Sequence, residues 1–181
     1  MPRLPAFEAA CEPARAAGLE VLVVAGGASR SHSVAAALRA GAEMNPEIVL
    51  VHDAARIFTT PELIDQLHDT LASGPSGLDG LIAARPVTDT IKLVDEHDEV
   101  RETPPRERLW AVQTPQAFRY APLAAALGVT EPVTDAQLAA ATDDASLIEA
   151  RGGRVKVHEW TAPNGKITTA EDLSSAERRL G

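Results

Sequence analysis

Several things are scarce in this chain. Cys11 is the only cysteine, so no intrachain disulfide and no cysteine-rich zinc site can form. Aromatic residues make up 3% of the sequence, too few for the stacked platforms that hold single-stranded nucleic acid. Basic residues are outnumbered, 17 against 26 acidic ones, and the net charge of −9 argues against general binding to a phosphate backbone. No apolar run approaches a membrane span, and the stretch from Met1 to Ala10 lacks the apolar centre and small-residue cleavage site of a secretory leader. A soluble, cytoplasmic protein with neither nucleic-acid nor membrane partners is the expectation.

What is present fits a globular enzyme or binding domain. A chain of 181 residues can bury roughly 70% of its unfolded surface around one core, so residues 1–181 are expected to form a single domain. The spacing predicts helices over about 5–17, 31–40, 61–72, 122–127, 135–141, 143–149 and 170–180, and strands over about 20–25, 47–51, 78–84, 109–113 and 154–159. Ser31 or Ser33 is placed to cap the second helix, Thr60 with Pro61 to open the third, and Thr169 with Asp172 to form a capping box on the last. Leu63, Ile64, Leu67 and Leu71 are the expected inward face of the third helix. A tight turn is expected at Thr114-Pro115-Gln116, and another at Asn164-Gly165-Lys166 ahead of a short β segment. Helix and strand alternate through the first half, which predicts an open, mostly parallel α/β sheet. Residues 90–94 and 99–102, joined by Asp95-Glu96-His97-Asp98, predict a hairpin arm within about 86–108 that has too little core of its own to be stable alone.

The stretch Val49-Leu50-Val51-His52-Asp53-Ala54-Ala55-Arg56 stands out. An apolar run ending in a carboxylate and an arginine suits a buried parallel strand delivering polar groups to a crevice at its carboxyl end. It equally suits a core strand whose Asp53 caps the next element. His52 and Asp53 point to opposite faces of a strand, so His52 is expected to be packed rather than catalytic. Gly26-Gly27 with Arg30 and Ser33 suits either a nucleotide-facing turn or a plain helix start. Thr142-Asp143-Asp144 suits a pair of carboxylates or, more simply, a helix cap. Thr90 with Arg106 suits a phosphate, since a guanidinium fork matches phosphate oxygens, but also an ordinary exposed threonine and arginine. The other histidines, His32, His68, His97 and His158, have no metal-ligand spacing.

In chain order these pieces form one pattern. It runs Val24-Ala25-Gly26-Gly27 with Arg30 and Ser33; then residues 51–56; then Pro86-Val87-Thr88-Asp89-Thr90-Ile91-Lys92; then Arg106 and Leu109-Trp110. Gln113-Thr114-Pro115-Gln116, Thr142-Asp143-Asp144-Ala145-Ser146 and Lys166-Ile167-Thr168 complete it. Together they resemble the 2-C-methyl-D-erythritol 4-phosphate cytidylyltransferase family. The resemblance implies a three-layer, Rossmann-like α/β fold of the nucleotide-diphospho-sugar transferase kind, with a mostly parallel twisted sheet and a protruding hairpin arm. It implies a reaction in which a phosphate oxygen of methylerythritol phosphate attacks the α-phosphorus of CTP and pyrophosphate leaves, giving 4-diphosphocytidyl-2-C-methyl-D-erythritol for non-mevalonate isoprenoid biosynthesis. A divalent cation, Mg2+, is implied as cofactor.

By the same resemblance Gly27, Arg30, Ser33, Asp53, Ala54 and Arg56 would bind CTP, with Asp53 also at the metal. Thr90, Arg106, Thr114 and Lys166 would hold the second substrate, with Arg106 and Lys166 in catalytic roles. The arm would cross to a second copy and make a homodimer. Ile57 stands where the family often has proline, Gly165 where it usually has isoleucine, and Pro163 where a second metal-binding acid would be needed. The family's amino-terminal glycine-rich loop, with its arginine and lysine, has no counterpart among these residues. The chain is therefore expected to be an amino-terminally truncated version with turnover near background, because losing even one transition-state donor costs about 10²–10³ in rate. A ribitol 5-phosphate type of cytidylyltransferase and a non-catalytic dimerising fragment are the alternatives.

Overall fold

The computed structural model describes residues 4–181. They divide into two compact units: residues up to Glu47 with Tyr120–Gly152, and Ile48–Arg119 with Gly153–Gly181.

The first unit is helical. It holds α1 (Leu4–Ala16), α2 (Arg30–Ala40), α4 (Tyr120–Ala126), α5 (Asp135–Ala140) and α6 (Asp144–Glu149). Within it α2 packs on α5 and α4 on α6, burying Leu38, Leu123, Leu127, Leu138 and Ile148. Residues 20–25 form no strand, and Leu22 and Val24 stay exposed. β-propensity alone does not make a strand; the backbone needs a neighbour for its N–H and C=O groups, and this segment pairs with none among the described residues. The cap of α2 is Ser29, whose Oγ accepts the His32 N–H at 3.4 Å, and not Ser31 or Ser33.

The second unit carries the whole main sheet. Its strands are β1 (Ile48–Val51), β2 (Gly80–Pro86), β5 (Trp110–Arg119) and β6 (Val155–Glu159), in the order β1-β5-β2-β6. β1, β2 and β6 run one way and β5 runs against both of its neighbours, so three of the four strands share a direction. Contrary to the expectation for a buried parallel strand, β1 lies at an edge of this sheet, is half-buried throughout, and has an antiparallel partner. β5 is ten residues long and continues through Thr114-Pro115-Gln116, where a turn was expected, but its register against β2 shifts there, between the Ile82–Gln116 and Ala84–Val112 pairs; the Thr114–Pro115 bond is cis.

Helix α3 (Pro61–Ala72) opens with Thr60 as N-cap and Pro61 in its first turn, as its sequence predicts. Leu63, Leu67 and Leu71, spaced by four, form one fully buried stripe against Leu78, Leu81, Ala83 and Ala117. Each buried leucine contributes about 1.5–3 kcal/mol relative to exposure. Ile64 falls off the stripe and is exposed, because a helix that rests on one sheet presents only a narrow face. Gly80 pairs with Phe118 across β2 and β5, and a Cβ there would lie 2.7 Å from the ring, so the aromatic seat requires glycine.

The arm appears as a separate two-stranded sheet, β3 (Leu93–Val94) with β4 (Val100–Glu102), exposed on both strands. After β6 the expected short β segment is absent. The chain from Thr161 to Thr168 is irregular and touches the loop after β1 through one backbone bond, Ile167 N to Ala55 O at 2.8 Å. Thr169 and Asp172 then form the expected capping box of α7 (Ala170–Leu180).

Candidate active site

The polar groups of the second unit converge where β1 ends. Past Val51 the chain makes a turn, with Arg56 N–H bonded to Asp53 O at 2.9 Å, which lifts Asp53 and Arg56 onto the same side. β5 supplies Thr114, whose Oγ1 accepts the Asp53 N–H at 2.9 Å. His52 is exposed rather than packed, because β1 ends before it, yet its ring is held at both nitrogens. Nδ1 lies 3.1 Å from Thr114 Oγ1 and Nε2 lies 3.2 Å from Arg56 O. A carbonyl only accepts, so Nε2 carries the proton of the neutral ring and the threonine hydroxyl donates to Nδ1. His52 thus braces the turn.

The loop after β6 closes over this turn. Lys166 Nζ sits 3.0 Å from Asp53 Oδ2, and Arg56 Nε lies 3.6 Å from the same oxygen. Two cations on one carboxylate leave a surplus positive charge, and Lys166, 45% exposed, presents it outward while Arg56 at 13% is largely covered. Such a surplus suits an anionic group, and a phosphate most of all. Beside it lies a cavity of about 640 Å³ lined by Arg56, Gln113, Asn164, Lys166, Asp172 and Arg179, among others.

Asn164, expected only as a turn residue, is 2% exposed and bonded on every side. Its Nδ2 donates to Thr114 O at 2.8 Å and to Gln113 Oε1 at 3.2 Å; its Oδ1 accepts from Thr59 Oγ1 at 3.0 Å; its backbone carbonyl accepts from Arg56 Nη1 at 2.6 Å. The only sequence signal was a polar residue two positions before Lys166.

In the helical unit, Gly27, Arg30 and Ser33 gather at the start of α2. Gly27 N–H donates to Ser33 Oγ at 3.1 Å, and Ser33 in turn donates to Ser29 O at 3.0 Å. A Cβ on Gly27 would lie 2.4 Å from the His32 Cβ, so this close approach needs glycine. Arg30 Nη2 bonds Asp144 Oδ2 at 2.7 Å; Asp144 is fully buried and its Oδ1 has no hydrogen-bond partner. Asp143 is the cap of α6, accepting Ser146 N–H at 2.9 Å, so the two adjacent carboxylates divide the roles of cap and ion pair. Ala54 is exposed in the turn after β1. On the flank of the arm Arg106 is exposed and donates to Thr88 O at 3.0 Å, and Thr90 is exposed.

The sequence model of the 2-C-methyl-D-erythritol 4-phosphate cytidylyltransferase family matches residues 8–181. The chain belongs to that family. It is 44% identical over 164 residues to a bifunctional enzyme IspD/IspF of Rhodopseudomonas palustris, with 87% of this chain and 38% of that protein aligned. It is 46% identical over 154 residues to the 2-C-methyl-D-erythritol 4-phosphate cytidylyltransferase of Azoarcus sp., with 84% of this chain and 61% of that one aligned. The chain thus spans under two thirds of either relative. Among solved structures it resembles 4-diphosphocytidyl-2C-methyl-D-erythritol synthase of Anaerococcus prevotii (TM-score 0.76, 28% identity, 96% of this chain and 74% of that one). It also resembles the 2-C-methyl-D-erythritol 4-phosphate cytidylyltransferase of Francisella tularensis (TM-score 0.73, 35% identity, 86% and 70%). These cytidylyltransferase structures bear out the expected α/β class.

Among the described residues no group of three or more histidine, cysteine, aspartate or glutamate side chains is placed to hold a metal ion. A magnesium ion can be held through one carboxylate when water and phosphate oxygens fill its remaining positions. Asp53, 21% exposed at the mouth of the turn, fits that single-carboxylate role. No described helix is long and apolar enough to cross a membrane.

Proposed function

We propose that the chain acts as a cytidylyltransferase, joining CTP to 2-C-methyl-D-erythritol 4-phosphate with loss of pyrophosphate, in isoprenoid biosynthesis. The observation that carries this reading is the gathering of Lys166 and Arg56 on one oxygen of Asp53, in a chain whose family match runs from residue 8 to its last residue. Lys166 with Thr114 would hold the phosphate of the polyol substrate, and Arg106 would approach it from the arm. By the family resemblance Gly27, Arg30 and Ser33 of the helical unit would be cytidine-binding residues, and so, in the second unit, would Ala54. Arg56, already anchored on Asn164 O, would act on the nucleotide side of Asp53.

Asp53 would hold Mg2+, which when bound offsets the negative charge on the triphosphate. The rest of the chemistry asked of this chain is placement: the cations fix a phosphate oxygen near the α-phosphorus, and preorganised charge lowers the barrier to its attack. The exposed apolar side chains of the arm, Leu93, Val94 and Val100, suit a second copy of the chain, which makes a homodimer the proposed assembly.

Calorimetry with CTP and with methylerythritol phosphate in magnesium buffer, paired with a pyrophosphate-release assay, tests the reading. Binding of both ligands, with any pyrophosphate release requiring both and abolished by chelation of the metal, is the expected result. Absence of binding by either ligand would overturn it.

A further inference from the structure

Three stretches of chain that are far apart in sequence meet at one side chain. The loop after β1 sends Thr59 and Arg56 to it, β5 sends Gln113 and the Thr114 carbonyl, and the loop after β6 contains it: Asn164. Both amide hydrogens, the amide oxygen and the backbone carbonyl are used, which fixes the orientation of the side chain without ambiguity. Lys166 follows two residues later, on an irregular segment without strand partners, held on its far side by the single backbone bond from Ile167 N to Ala55 O. Gly165 between them adds no constraint, since a Cβ there would meet nothing within 4 Å.

We infer that Asn164 is a positioning residue: its amide pins the loop after β6 to β5 and thereby sets Lys166 and Arg56 around Asp53. The inference rests on the function proposed above as far as the value of that arrangement goes, but the arrangement can be tested without it. Asn164→Asp is the sharpest variant. It keeps the shape and the acceptor for Thr59, but turns a donor into a carboxylate oxygen facing two acceptors, Gln113 Oε1 and Thr114 O. Gln113 can turn its amide over and donate, but the Thr114 carbonyl at 2.8 Å cannot, so the bond to the β5 backbone is lost.

The first readout needs no substrate. Lys166 is acylated with an amine-reactive ester and the rate at that one residue is followed by mass spectrometry, with Lys92 and Lys156 as internal references. Asn164→Asp is expected to raise the rate at Lys166 severalfold, because the ammonium loses its fixed place on Asp53, while the reference lysines do not change. The second readout is affinity for methylerythritol phosphate, expected to fall about tenfold in Asn164→Asp. In a Lys166→Ala background the same change should cost less than twofold, since it acts through that lysine.

Should Asn164→Asp fail to fold, Thr59→Val and Thr59→Ser give the same test in milder form. Valine deletes one bond to Asn164 and should raise Lys166 acylation about twofold, and serine should restore the original rate. Unchanged acylation at Lys166 in a folded Asn164→Asp protein, or in Thr59→Val, would overturn the positioning role. Raised acylation in a protein that binds neither CTP nor the phosphate would keep that role and sink the proposed function instead.

Discussion

Two of the aspartates that hold arginine or lysine, Asp144 and Asp53, live under opposite conditions. Asp144 is fully buried and spends one oxygen on Arg30, while its other oxygen has no hydrogen-bond partner. Asp53 is partly open and collects two cations, Lys166 and Arg56, on one oxygen. A buried carboxylate with a single counter-charge is a structural dependency: removing the cation strands a charge in a place water does not reach. A partly open carboxylate under two cations costs little to rearrange, because water reaches it and an incoming anion could take up the surplus positive charge. The same residue types thus form a buried pair in one unit and a partly open cluster in the other.

The largest expected effects lie at the open site. Lys166→Ala should weaken methylerythritol phosphate binding by about 10- to 100-fold, the loss of one hydrogen bond to a charged group. Thermal stability should hardly move, since the ammonium is 45% exposed. Asp53→Asn should abolish the magnesium dependence of CTP binding, read by calorimetry with and without chelator, and it too should leave the fold intact. A large drop in melting temperature for either variant would mean that Asp53 and Lys166, like Asp144 and Arg30, are structural.

At the buried pair the order reverses and the readout is stability. Arg30→Ala leaves Asp144 buried without its counter-charge and should cost about 3 kcal/mol, the low end for a broken buried pair because the Arg30 head is 39% exposed. Asp144→Asn removes the buried charge itself and releases an arginine that can turn to water, so it should cost less, about 1 kcal/mol. Urea unfolding of the two variants checks the sign of the difference. Equal losses would show that Asp144 is not the dependent partner.

Which of these features the sequence announces follows from their range. Short-range rules act within a few residues, and they located Thr60 with Pro61, the Thr169–Asp172 capping box, the Leu63-Leu67-Leu71 stripe and the hairpin turn at Asp95–Asp98. The family pattern drew attention to Asp53, Arg56 and Lys166, which the fold does bring together. What stayed hidden depends on distant partners. The unpaired state of residues 20–25, the edge position of β1 and the continuation of β5 past Thr114-Pro115 are decided by which strands find neighbours. Asn164 looked like a turn residue because its four bonds reach back to Arg56, Thr59, Gln113 and Thr114, 50 or more positions away. Asp144 was masked by Asp143, which satisfies the local capping rule and leaves no local reason to ask what the second carboxylate does.

A third aspartate sharpens the contrast at its weak end. Asp172 is held by hydrogen-bond donors of its own helix start: Oδ2 accepts from Thr168 N, Thr168 Oγ1 and Thr169 N, all at 2.9 Å. These donors, the Thr168 backbone N–H foremost, favour the charged form and lower its pKa from 3.8 to about 2. A carboxyl group whose folded pKa lies below its unfolded one contributes stability in full above the unfolded value. It loses that contribution as pH falls toward the folded one. The capping of α7 should thus be intact from neutrality down to about pH 4 and fade between there and about pH 2. Asp172→Asn should be less stable than the unaltered chain above pH 4, with the gap closing across that window, as measured by urea unfolding at a series of pH values. A gap that persisted unchanged at pH 2 would mean that Asp172 acts by shape rather than by charge.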